Sequence, residues 1–290
     1  MTTAVIDAHA HVWTQDRVRY PFGPLDGLPA PHDVRTPNEF DTDSADESVA
    51  GVLLIQPRIY GYDHSYVYQA AAAMSGRARV MPLIDASRPD APAILHRHAR
   101  SAMTAGFRVI ALGPLSTEWL GSQGAQWLWE AGAELNLPAG FLVEPNQLPL
   151  VRQVADAHPQ LNVVIDHLAR CHGQQLAAWT RALCTLIELP NVYVKISAIG
   201  TLSRNAFPHR DMWPLVDALY CAAGARKLLW GSDWPHNMVT GSYGSSRAAV
   251  AQALAGAPDA DHDAIFRWTA AHLFGFDVNT TTAGVARGDT

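Results

Sequence analysis

Eight short apolar runs recur along the chain, separated by longer stretches in which apolar residues return every three or four positions. The runs are 4–12, 49–57, 79–86, 107–113, 138–144, 162–169, 192–199 and 228–236, each rich in branched residues and of strand length. Most are apolar on both faces, as expected of a parallel sheet covered by helices rather than water. Between them, Leu176, Trp179, Leu183, Leu186 and Ile187 share one helical face in 174–188. Leu148, Val151, Val154 and Ala155 do the same around Pro149, and Leu128, Ala131 and Leu135 before Pro138. Segments 90–104 and 263–274 carry the same period, with Asp261 and Asp263 as N-cap candidates. Strand starts at 79, 107, 138, 162 and 192 lie 28, 31, 24 and 30 residues apart, about the length of a βα unit.

Eight such units close into a (β/α)8 barrel, an α/β fold expected here as a single domain over 1–277. An open doubly wound sheet is the alternative, but no glycine-rich nucleotide fingerprint follows the first strand. Two segments break the rhythm. The stretch 13–48 is long and rich in Pro and Asp, and its Trp13, Tyr20 and Phe22 suit an ordered lid over the barrel mouth. The stretch 278–290 is small and polar and reads as a flexible tail.

Composition narrows the function classes. With 290 residues, 48% of them hydrophobic and 17% charged, the chain can bury a large core. A formal charge of -6 argues against nucleic acid or an anionic membrane surface as partner. Three cysteines, Cys171, Cys184 and Cys221, make neither a disulfide framework nor a metal-binding pair, which fits a reducing cytoplasm. The first strand begins almost at once with no basic leader, so no signal peptide is expected, and no run reaches the length of a membrane span. Nothing in the pattern dictates an oligomeric state.

The chemistry starts in the first strand, Val5-Ile6-Asp7-Ala8-His9-Ala10-His11. Strand alternation places Asp7, His9 and His11 on one face with Val5 at its foot. Two imidazoles at a strand end can grip a metal ion or a polar substrate group. In barrels of this kind active-site residues lie at the C-terminal strand ends. There the chain carries Gln56, Arg58, Asp85, Arg108, Glu144, Asp166, His167, Arg170, Lys195, Ser197, Ser232, Asp233 and His236. Ionisable groups set into apolar strands cost several kcal/mol unless they are paired or used. Arg58, Arg108, Arg170 and Lys195 in an acidic chain are expected to hold an anionic substrate, since a guanidinium grips a carboxylate bidentately. Tyr60, Tyr62 and Trp234 can flank a flat ring. Cys171 has no paired base in its motif and is expected to be a small buried residue.

The His-x-His strand, the Val164-Ile165-Asp166-His167-Leu168 run and Trp230-Gly231-Ser232-Asp233-Trp234-Pro235-His236 resemble the amidohydrolase superfamily. Within it they are similar to the branch of 2-pyrone-4,6-dicarboxylate lactonase and the sugar-lactone hydrolases. Leu54-Ile55-Gln56-Pro57, Tyr60-Gly61-Tyr62-Asp63-His64-Ser65-Tyr66 and Ala105-Gly106-Phe107-Arg108 resemble the same branch, so the likeness runs from about residue 5 to 275. The resemblance implies a reaction centre of His9, His11, His167 and Asp233. The superfamily's bridging Lys or Glu on strand four and its His on strand five have no counterpart, leaving Glu144 as the only substitute, so a two-metal centre is not expected. One Zn²⁺ on His9, His11, His167 and Asp233 is one reading, and catalysis without a metal is the other, because the branch includes members that need none. The implied activity is hydrolysis of a lactone of a small carboxylate-bearing substrate. Asp233 would act as general base on water, His9, His11 and His167 would polarise the carbonyl, and Arg108, Arg170, Lys195, Gln56, Arg58, Tyr60 and His236 would bind substrate. Two rivals stand beside it: a metal-dependent non-oxidative decarboxylase of the same superfamily, and a barrel that binds a small acid without turnover.

Overall fold

Among the described residues eight parallel strands follow one another in chain order: β1 Val5–Ala10, β2 Val49–Ile55, β3 Ala78–Met81, β4 Phe107–Ala111, β5 Ala139–Val143, β6 Val163–Ile165, β7 Val192–Ile196 and β8 Leu228–Trp230. They come from a computed structural model that describes residues 4–23, 27, 29–112 and 120–277. Hydrogen bonding groups them as two arcs, β1-β2-β3 and β4-β5-β6-β7-β8. Isolated parallel bridges join the arcs at both seams, Val80↔Thr104 and Leu83↔Arg108 on one side and Ala10↔Trp234 on the other. At the second seam His11 N donates to Trp234 O at 2.7 Å and Asp233 N donates to His9 O at 2.8 Å. The fold is the (β/α)8 barrel, and that last seam sets the first and last strands of the chain side by side. Among the described residues no helix is long and apolar enough to cross a membrane.

The strands are shorter than the apolar runs, for local reasons. β3 ends at Met81 because Pro82 has no N–H to continue the ladder. β6 ends at Ile165 because His167, Leu168, Ala169 and Arg170 all take the left-handed conformation, with φ of 52°, 54°, 51° and 55°. The helices Gln123–Glu134, Leu148–Ala157 and Leu176–Ile187 occupy the periodic stretches. The helix expected over 90–104 is shorter, Ala91–Ala99. The last helical stretch starts earlier than expected, at Asp259 after Pro258, so Asp261 and Asp263 lie inside it rather than capping it. The tail 278–290 lies outside the described residues.

The long connection 13–48 has its own anchors. Trp13 and Arg35 form an antiparallel bridge, and Trp13 Nε1 donates to Asp33 O at 3.1 Å. A helix, Pro37–Asp43, packs Phe40 edge-on to Trp234 with ring centroids 5.4 Å apart, while Trp234 Nε1 donates to Asp43 Oδ2 at 2.9 Å. Trp234 is therefore fully buried as a strut between this connection and β8, not a face for a substrate ring.

β1 breaks the alternation expected of it. It pairs with β2 as Asp7↔Val52 and then Ala10↔Leu54, three steps on β1 against two on β2. A bulge of this kind re-aims the side chains beyond it. Ile6 and Ala8 pack inside the ring with Leu53, Ile55, Met81, Val164 and Leu229, over the helix Thr269–Phe274. Val5, Ala10 and Val12 join the apolar layer between strands and helices. Asp7 faces that layer too, and so does not share a face with His9 and His11. It accepts from His9 N at 3.0 Å, Ser232 N at 2.8 Å, Ser232 Oγ at 2.6 Å and Tyr243 OH at 2.7 Å, tying β1 to β8. Gly231 permits the same approach, because a Cβ there would lie 2.7 Å from His9 Cβ and 2.9 Å from His9 N. Gly231→Ala should therefore cost about 1–3 kcal/mol by overpacking, read as a lower urea midpoint. It should also lower activity, because it pushes the Asp233 strand away from His9.

Candidate active site

His9, His11, His167 and Asp233 converge at the C-terminal mouth of the barrel from three strands spread over more than two hundred positions of the sequence. Asp233 Oδ1 lies 3.8 Å from Nε2 of His9, 3.8 Å from Nε2 of His11 and 3.8 Å from Nε2 of His167. That oxygen is buried and has no hydrogen-bond partner. Both late residues are aimed by backbone that an extended strand could not supply, Asp233 at φ 60° and His167 at φ 52°. Left-handed non-glycine residues cost free energy and gather at functional sites.

Each imidazole is held from behind. His11 Nδ1 donates to Ile55 O at 2.9 Å; a carbonyl oxygen can only accept, so the proton sits on Nδ1 and Nε2 presents a lone pair. His167 Nδ1 pairs with Ser197 Oγ at 2.8 Å. His9 Nε2 approaches His11 Nε2 at 3.2 Å, while its Nδ1 lies 3.4 Å from Lys195 Nζ and 3.5 Å from Asp166 Oδ1. Burial lowers His9 and His11 well below the usual histidine value and lowers His167 to about 3, so all three rings are neutral at pH 7. Burial raises Asp233 to about 8 against the pull of the Arg108 charge.

Beneath these four groups the barrel interior is ionic. Arg108 Nε donates to Asp166 Oδ2 at 2.8 Å and Lys195 Nζ lies 3.1 Å from Asp166 Oδ1, all three side chains being almost fully buried. Burial would raise Asp166, but the two cations overcome it and hold the carboxyl well below its usual range. Burial pulls Lys195 below its ordinary value against Asp166.

The other residues expected at the substrate are placed as follows. Arg108 and Lys195 face Asp166 rather than the open mouth. Arg170 Nε donates to Glu144 Oε1 at 2.8 Å, both half-buried at the rim, so Glu144 faces a guanidinium and not the imidazoles. Gln56 Nε2 donates to Gly61 O at 3.1 Å and Asp63 O at 2.8 Å, bracing the loop after β2. Arg58 opens the short turn Arg58–Tyr60 in that loop. Tyr60 packs against Phe22 and Tyr66 and accepts from Thr14 N at 2.9 Å, so it fixes the 13–48 connection instead of flanking a ring. His236 lies at the mouth, its ring 5.3 Å from that of His11 and 5.9 Å from Trp13. Cys171 is buried and burial pushes its thiol up to about 12, consistent with an inert packing residue. A cavity of about 580 Å³ lies apart from the four groups, lined among others by Tyr62, His64, Tyr68, Leu83, Arg88 and His98.

Asp166 and Ser197 were visible in the sequence as polar strand-end residues, but nothing there indicated that Asp166 anchors both cations. Its only signal was its place beside His167. Asp7 was read from the sequence as sharing a face with His9 and His11, not as the tie between β1 and β8.

The donor set suits a divalent ion. His9, His11 and Asp233 offer ligand atoms within 4.8 Å of one another, as do His9, Asp166 and His167. The bare Nε2 of His11 and the unpartnered Asp233 Oδ1 both face the same space, and nitrogen with carboxylate oxygen is a zinc-type set.

Residues 6–276 match the amidohydrolase family model. The chain belongs to the amidohydrolase family. This amidohydrolase is 30% identical over 251 residues to an L-fucono-1,5-lactonase of Burkholderia ambifaria, covering 85% of either chain. It is 27% identical over 191 residues to a 4-sulfomuconolactone hydrolase of Hydrogenophaga intermedia, covering 64% of this chain and 60% of that one. An amidohydrolase structure from Burkholderia multivorans with bound zinc matches at TM-score 0.80 and 23% identity, over 95% of this chain and 100% of that one.

Proposed function

We propose that this amidohydrolase opens the ring of a small lactone by adding water to the ester carbonyl. The observation that carries the reading is Asp233 Oδ1, buried without a hydrogen-bond partner and 3.8 Å from three imidazole nitrogens. The relatives of known name that cover most of the chain act on sugar and sulfomucono-lactones, which places the ester reading ahead of decarboxylation.

In this reading Asp233 takes the proton of the attacking water and later returns it to the leaving alkoxide. The three histidines do not share one role. His11 spends its only proton on Ile55 O and turns its Nε2 lone pair toward His9, so it has no proton to give the carbonyl oxygen. His167 can keep a proton on Nε2 while Ser197 Oγ donates to its Nδ1, which makes it the donor to the carbonyl oxygen. Arg108 and Lys195 set two positive charges against the single charge of Asp166 below the centre, so the interior favours the oxyanion as it forms. They act through the field and not by gripping the substrate. An acidic group on the substrate would meet Arg170 and His236 at the rim, and the 13–48 connection would cover it as a lid. When bound to His9, His11, Asp233 and His167, Zn²⁺ would lower the pKa of a ligated water toward about 7.

Assay of the purified protein against aldonolactones and muconolactones, followed as acid release, tests the reading. Ring opening without carbon dioxide release is expected, whereas release of carbon dioxide from an aromatic acid with no lactone opened supports the decarboxylase instead. The pH dependence is a second check. Because Asp233 must be ionised to accept a proton and burial raises it to about 8, kcat/KM of chelator-treated enzyme should climb with pH, reach half its plateau near 8 and level off above it. A profile already flat well below that point would remove Asp233 as the base.

A further inference from the structure

His9 has two incompatible neighbours at one nitrogen. Its Nδ1 lies 3.4 Å from Lys195 Nζ and 3.5 Å from Asp166 Oδ1. An ammonium only donates and a carboxylate only accepts, so Nδ1 either offers its lone pair to Lys195 or its proton to Asp166. The far side of the ring records the consequence. His9 Nε2 stands 3.2 Å from His11 Nε2, and that nitrogen is bare because His11 Nδ1–H is committed to Ile55 O.

With Lys195 donating to Nδ1, the His9 proton sits on Nε2 and is donated to His11. The result is an unbroken chain from Lys195 through His9 and His11 to Ile55 O, in which no lone pairs face each other. With Nδ1–H turned to Asp166, two bare Nε2 atoms confront each other and need a shared cation between them. Asp166 Oδ1, buried 3.5 Å from His9 Nδ1 and already 3.1 Å from Lys195 Nζ, is the acceptor this second arrangement would use. The two arrangements differ only in which nitrogen carries the proton, so the ring's proton count does not change.

We propose that Lys195 is a positioning residue that selects the His9 tautomer and thereby sets how tightly the centre binds a divalent metal. Its ammonium favours the tautomer that aims N–H, not a lone pair, at the metal position, so Zn²⁺ must shift that proton to the Asp166 side before His9 can ligate. The inference shares His9 and His11 with the proposed reaction but concerns metal binding alone, so it stands or falls separately from lactone turnover.

The test is zinc affinity, measured by competition with a chromophoric chelator on metal-free wild type and on Lys195→Met, whose side chain has similar length and no donor. The variant should bind Zn²⁺ about 10–100-fold more tightly, the range typical of groups that orient a metal-bound imidazole. A residue that merely keeps the site in order would, on removal, leave the affinity unchanged or weaken it, and either result overturns the proposal. Should Lys195→Met not fold, ¹⁵N-histidine spectra of the wild type decide the matter. Metal-free protein should show His9 with a protonated Nε2 that passes to Nδ1 on zinc addition, and His9 already protonated at Nδ1 without metal overturns the assignment.

Discussion

Asp233→Asn should lower kcat/KM for lactone opening by about 10²–10⁴-fold with no comparable loss of stability, the range for removing a general acid–base group. Asparagine is among the few residues at ease in the left-handed conformation, so φ 60° is kept. The backbone bonds of the position, from its N to His9 O at 2.8 Å and from Asn237 N to its O at 3.2 Å, do not involve the side chain. Burial already holds the carboxyl largely protonated at neutral pH, so loss of its charge costs the fold little. What the amide cannot do is accept a proton from water. Steady-state kinetics beside thermal unfolding check the prediction, and unchanged turnover would refute the assigned mechanism.

The largest stability effect belongs to Asp166. Asp166→Ala strands Arg108 and Lys195 in the barrel interior with no counter-charge, and removing one partner of a buried ionic group costs about 3–5 kcal/mol. Urea unfolding of the variant should show a drop of that order. Adding Lys195→Met to the same chain should recover part of it, because one of the two stranded charges is then gone. Equal instability of the single and double variants would mean that the three side chains are not coupled as their distances indicate.

The order and number of the strands were legible because branched apolar runs of strand length stood out between helical periods. Their ends were not. β6 stops at Ile165 through four successive left-handed residues, and nothing in Leu168 or Ala169 announces a positive φ. The bulge in β1 was equally hidden, since Val5-Ile6-Asp7-Ala8-His9 reads as strict alternation and that reading puts Asp7 beside His9. Motif resemblance brought out His9, His11, His167 and Asp233, whose side chains the barrel gathers at one mouth. The cations were the harder case: sequence shows that Arg108 and Lys195 sit on strands, but whether each faces a substrate or a carboxylate depends on which interior position of a nearby strand lies beside it. Here Asp166 lies there.

A crystal structure with a phosphonate mimic of the tetrahedral intermediate tests the central claim most directly. One phosphonate oxygen should lie within hydrogen-bond reach of Asp233 and another should face His167 Nε2. A mimic seated elsewhere, such as in the cavity beside Tyr68 and His98, with Asp233 untouched, would contradict the account.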